Sequence, residues 1–162
     1  MGYLPIILAL LGFTFLWAIV NYNSIKIKKA EVEQASLQVF KYAGLRNTII
    51  RRMANIKHED NTLQQIVVKV SAQLNDDKSE TVGIEEKMKA EKPVTQLVAD
   101  IPAGYVKNSP YSEAYKQLQV VQNSYQKAAS VYVHRREEYH ELLRKYPSKL
   151  IAKVSGFKSM EN

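Results

Sequence analysis

The sequence predicts an all-α protein in which a single N-terminal membrane-spanning helix precedes a helical body. Three observations carry that expectation. An uncharged run opens the chain, apolar residues then recur at intervals of three and four, and only 6 Gly and 5 Pro interrupt 162 residues. Those breakers are too few for the many turns of an all-β chain.

The opening run is "GYLPIILALLGFTFLWAIV", Gly2 to Val20, 19 residues without a charge. At the helical rise it covers about 28 Å, close to the ~30 Å hydrocarbon core of a bilayer. Tyr3 stands at one end and Trp17 and Tyr22 at the other, where amphipathic rings favour the headgroup level. Pro5 falls in the first turn, where a missing N–H matters least. A cleaved signal peptide would instead carry basic residues before the run and a small-x-small cleavage site. Nothing basic precedes Gly2, and Ala18-Ile19-Val20-Asn21 fits such a site poorly. Residues 1–21 are therefore expected to be an uncleaved anchor. No Lys or Arg lies before the span, whereas Lys26, Lys28 and Lys29 follow it within nine residues, so the positive-inside rule puts the N-terminus outside and the body in the cytoplasm.

Residues 22–147 read as amphipathic helices. Ile25, Val32, Val39 and Met53 share one seven-residue register with Ser36, Ala43 and Ile50 alongside, and Arg46 interrupts it. Leu63, Ile66, Val67, Val70 and Leu74 continue the three-and-four spacing after "HEDNT", His58 to Thr62. That cluster is either a turn or part of a continuous rod. Asp77 and Glu80 have the spacing of a capping box. Ile84, Met88, Val94 and Leu97 follow, interrupted by Pro93, which makes either two short helices or one kinked helix. "IPAGYVKNSP", Ile101 to Pro110, is the clearest break. Beyond it Tyr111, Leu118, Tyr125, Tyr132, Tyr139 and Tyr146 recur every seven residues, with Ala114, Val121, Ala128 and Leu142 in the companion register and Arg135 interrupting. This is the longest amphipathic pattern in the chain, and large-into-small packing against a neighbouring helix is the expected use of the ladder. An aromatic binding surface is its alternative.

Lys and Arg outnumber Asp and Glu by 23 to 16, and the resulting net charge of +7 lies wholly beyond residue 20. Such a balance suits a polyanion, either a lipid surface or nucleic acid. Arg51-Arg52 and Arg135-Arg136 are doublets among acids with no recognition helix or stacking motif beside them. A membrane next to the body explains the charge more simply, since each basic residue near an anionic leaflet gains about 1 kcal/mol. Nucleic acid is not expected as a partner. Cysteine is absent, which removes disulfides and thiolate metal sites. Glu137 and His140 form one Glu-x-x-His, the spacing that aims two ligands inward in di-iron bundles, but such a site needs a second copy and two further glutamates. No phosphate loop, nucleophile elbow or paired zinc histidines occur. Neither catalysis, a cofactor, a metal nor a small-molecule substrate is expected. A metal-dependent accessory protein or enzyme using the Glu137/His140 face is the alternative.

Tyr22-Asn23 after the span, "VEQA" at Val32 to Ala35, "KHE" at Lys57 to Glu59, the Tyr132 and Tyr139 pair and the closing "YPSKLIAKVSGFK" together resemble the LemA family. The resemblance covers most of the chain and is most specific in the last 30 residues. It implies an anchor in the bacterial inner membrane, N-terminus out, followed by an up-and-down four-helix bundle of the bromodomain-like type. It supplies no catalytic residue. The chain departs from the family pattern at "LRNTIIRRM", Leu45 to Met53, which lacks the usual proline, and at Val133 and His140, which stand where asparagines are usual. The family's function is poorly defined, and the function expected of this chain is a scaffold or adaptor at the membrane, binding other proteins or further copies of itself.

The closing segment, residues 148–162, reads as a short basic amphipathic helix. Pro147 ends the tyrosine helix and Ser148 has the chemistry to cap the next. Leu150, Ile151, Val154 and Phe157 gather on one face, with Lys149 and Lys153 opposite and Lys158 following. If the last helix of the bundle returns to the membrane, this segment lies on the bilayer with its apolar face down. The same pattern also suits a helix that caps the bundle's lower end.

Overall fold

A computed structural model describes residues 3–56, 61–72, 74, 83–99, 101 and 111–158. Among these residues the chain is all-helical, with five helices: α1 (Leu4–Ala54), α2 (Asn61–Ala72), α3 (Ile84–Ala99), α4 (Ser112–Arg144) and α5 (Ser148–Ser155). The capping box at Asp77 and Glu80, the segment His58 to Asp60 and the break from residue 102 to 110 lie outside the described residues. The end of α1 at Ala54 and the start of α2 at Asn61 exclude a single rod through this region.

α1 is 51 residues long and contains the apolar run. It is long and apolar enough to cross a bilayer, and no residue of its most apolar stretch is buried. The few polar side chains there bond back to their own helix. Thr14 Oγ1 donates to the Leu10 carbonyl at 2.8 Å, and Asn21 Nδ2 to that of Trp17 at 2.8 Å, so these groups need no water.

The chain divides into two compact groups, residues 1–35 with 131–162 and residues 36–130, and α1 and α4 contribute to both. In the first, Ile25, Val32 and Ala35 of α1 are buried, as are Tyr132 and Tyr139 of α4. Lys28 meets Glu138 and Glu31 meets Arg135. The rising number on one helix against the falling number on the other makes the pair antiparallel here.

The second group has a continuous apolar core. Ile50 and Met53 of α1, Val67 and Val70 of α2, Val94 and Val98 of α3, and Ala114 and Leu118 of α4 pack together with Tyr111. Each large side chain fully withdrawn from water contributes about 1.5–3 kcal/mol. The Tyr111 hydroxyl donates to the Ile56 carbonyl at 2.8 Å, and that of Tyr115 to the Ile101 carbonyl at 3.2 Å. These bonds satisfy the polar tips of otherwise apolar rings. α3 runs through Pro93 as a single helix, because Pro93 and Lys89, whose carbonyl loses its helical partner there, both lie on the exposed side.

Arg46 is the main departure from the expected stripe. It does not leave the register: its residue is 0% exposed, and its guanidinium forms an ion pair with Glu91 of α3. Arg46 Nη1 also donates to Thr95 Oγ1 at 2.9 Å and Gln122 Oε1 at 3.1 Å, and the Tyr125 ring lies 4.6 Å from the guanidinium carbon. Burial lowers the Arg46 pKa, and the Tyr125 hydroxyl partly opposes that shift.

Five members of the heptad ladder, Tyr111, Leu118, Tyr125, Tyr132 and Tyr139, are buried. Tyr146 is not. It is 75% exposed, because α4 ends at Arg144 and the seven-residue count runs on beyond the helix that gave it meaning.

Candidate membrane-interface site

The candidate site lies where the apolar run of α1 ends and α5 meets it. α4 stops before Pro147, and α5 occupies only Ser148–Ser155. Gly156 ends it at φ 73°, in the left-handed region. The Phe157 N–H bonds the Ala152 carbonyl at 3.0 Å. A Cβ at Gly156 would meet no atom, so the requirement for glycine there is conformational rather than steric.

Ser148 does not cap α5 as expected. The N-cap position belongs to Pro147, which makes no side-chain capping bond, and the Ser148 hydroxyl instead donates to Asn21 Oδ1 at 3.3 Å. At the other end Phe157 packs on Tyr22, with ring centroids 5.5 Å apart. Ser148 and Ala152, four residues apart, are the buried side of the helix. The Tyr139 hydroxyl donates to the Lys158 carbonyl at 3.2 Å, and burial, with Glu33 nearby, raises its pKa.

Ser148, at the start of α5, and Phe157, just beyond its glycine cap, meet consecutive residues of α1, Asn21 and Tyr22, so the closing segment is attached to α1 at both ends within one turn. Leu150 is 51% exposed and Val154 88%, on a side of α5 away from Lys149 and Lys153, which are also exposed. Ile151 is half-buried, and Phe157 is held against Tyr22 rather than sharing a free face with Leu150 and Val154. Between the helices lies a groove of about 400 Å³, lined by Ala18, Ile19 and Tyr22 of α1 and by Leu150, Ile151, Val154 and Ser155 of α5.

The remaining expected anchor residues fall around this junction. Tyr3 and Trp17 are exposed, as the flanks of a lipid-facing span should be, and Lys26 is exposed one turn beyond Tyr22. Lys29 approaches Glu33 at 3.7 Å. Lys28 turns inward and bridges Glu31 and Glu138, each at 2.9 Å. Arg135 completes this network, at 2.9 Å from Glu138 and 3.3 Å from Glu31, and so does His134, at 3.3 Å from Glu138. Arg135, which interrupts the tyrosine ladder, and Lys28 thus join α4 to α1 through Glu31 and Glu138. Hydrogen bonds from Lys28 and Arg135 hold the Glu138 carboxyl at a pKa of about 2, and the same contacts raise the pKa of both cations.

Glu138 should accordingly stabilise the protein above the ordinary carboxylate pKa of 4.5 and lose that contribution as pH falls toward about 2. The expected outcome is that Glu138→Gln melts lower than the parent at pH 7, and that the gap closes between those two pH values. Added salt should narrow it as well, because the network is partly exposed. A gap that persists at pH 2 would assign the effect to packing.

Glu137 is exposed, and His140 is half-buried with its ring 6.1 Å from that of Tyr139. Among the described residues no group of three or more His, Asp or Glu is arranged to hold a metal ion. Comparison of the chain with family models, with curated proteins and with solved structures finds no match.

Proposed function

We propose that the chain is a single-pass protein of the bacterial inner membrane, N-terminus outside, whose cytoplasmic body is an up-and-down four-helix bundle resembling the LemA type. The body acts as a non-catalytic scaffold or adaptor that holds other proteins, or further copies of itself, at the bilayer. The carrying observation is the attachment of the closing segment, through Ser148 and Phe157, to Asn21 and Tyr22, where the apolar run of α1 ends. Placed there, α5 lies in the plane of the membrane surface with Leu150 and Val154 toward the acyl chains and Lys149, Lys153 and Lys158 toward headgroup phosphates. The antiparallel α1 and α4 and the packing of α2 against α3 support the bundle reading. Lys26, Lys28 and Lys29 support the orientation.

Because the chain has no cysteine, one introduced thiol reports alone. Lys116→Cys, at an exposed position of α4, should resist a membrane-impermeant maleimide in intact cells and label fully once they are opened. The protein should also stay with the membranes in alkaline carbonate. Labelling in intact cells would place the body outside, and release by carbonate would remove the anchor.

A further inference from the structure

The groove between α1 and α5 is apolar on both walls, and its lower wall, Ala18 and Ile19, continues into the exposed surface of the span. From Ala18 to Tyr22 it extends one helical turn along α1, about 6 Å. That height is too short a seam for a second spanning helix and suits a single chain end with its glycerol region. Ala18, Tyr22 and Lys26 follow at four-residue intervals and so share one face of α1. Lys26 is exposed and enters no ion pair among the described residues. Lys26 lies one turn beyond the Tyr22 end of this apolar slot, outside its lining, and an acyl wall followed by a cation is the order in which an anionic phospholipid presents its chain and its phosphate. The volume, about 400 Å³, falls within the usual range for small-molecule sites.

We propose that this groove binds one anionic phospholipid, with an acyl chain against Ala18, Ile19, Leu150 and Val154 and the headgroup phosphate at Lys26. The inference rests on the interfacial placement of α5. A bound lipid would fill the space between α5 and α1, and would make attachment of the terminal helix depend on the charge of the surrounding leaflet.

The test is native mass spectrometry of the full chain released from nanodiscs of phosphatidylglycerol or phosphatidylcholine, alongside the bilayer depth of a spin label at Val154→Cys in the same discs. The parent should retain one phospholipid, with about a fivefold preference for phosphatidylglycerol, the ratio that one lysine–phosphate contact supports. Lys26→Gln should keep the lipid and lose the preference. Ala18→Leu combined with Ser155→Leu, which fills the slot, should lose the lipid while the label stays at depth. Three outcomes would overturn the groove inference alone: a label at depth with no retained lipid, retention unchanged in the filled variant, or a second protein chain retained instead of lipid. A label in the aqueous phase would overturn the interfacial placement as well.

Discussion

Glu91→Ala should destabilise the helical body by about 3–5 kcal/mol, the usual loss when one partner of a buried ion pair is removed and the other is left uncompensated. Arg46 would then keep its charge with no exposed surface, since a guanidinium is not deprotonated in proteins. The Tyr125 ring and the Thr95 and Gln122 side chains would remain, but none carries the opposing charge. The double variant Arg46→Met/Glu91→Leu should behave differently. It returns the position to the apolar register of Val39 and Met53, removes two desolvated charges together, and is expected to fall between neutral and about 4 kcal/mol more stable than the parent. Unfolding in mild detergent, followed by near-ultraviolet circular dichroism of the buried tyrosines, measures both. A double variant as unstable as Glu91→Ala would mean that the pair contributes more than its own charge balance.

Tyr132→Ala should cost about 3–5 kcal/mol, the range for truncating a large buried aromatic side chain. Tyr132 is 2% exposed, and burial raises its hydroxyl pKa. Tyr132→Phe should cost far less, because it keeps the ring that fills the space. Together the two variants separate packing from the hydroxyl. An alanine variant that melts with the parent would move the ring to the surface and favour a binding role for the ladder.

The elements that a reader of the sequence finds are those whose signal is local. The span is contiguous, and the heptads of α1 and α4 repeat often enough to survive an interruption. The position at Arg46 was legible as a register position but not as a buried one, because an apolar count treats any cation as a break. The missing clue lay on another helix: Glu91 falls three residues before Val94 and seven before Val98, on the buried side of α3, so an acid was already in the stripe that faces the core. Tyr146 illustrates the opposite error, a repeat counted past the residue where Pro147 ends the helix. The junction at α5 was half legible. Its apolar and basic residues were evident, whereas the Ser148–Asn21 bond and the groove join residues more than 120 positions apart, and no spacing rule reaches that far.

The central claim is that α5 lies on the bilayer where the apolar run of α1 ends. Adjacent residues on this helix point about 100° apart, so spin labels at Val154→Cys and Lys153→Cys, each in the full chain reconstituted into anionic nanodiscs, compare two sides of one helix at one level. The account predicts that the Val154 label collides readily with lipid-soluble oxygen and poorly with a water-soluble paramagnetic reagent, and that the Lys153 label does the reverse. Equal access of the water-soluble reagent to both labels would contradict it and leave α5 as a cap on the helical body.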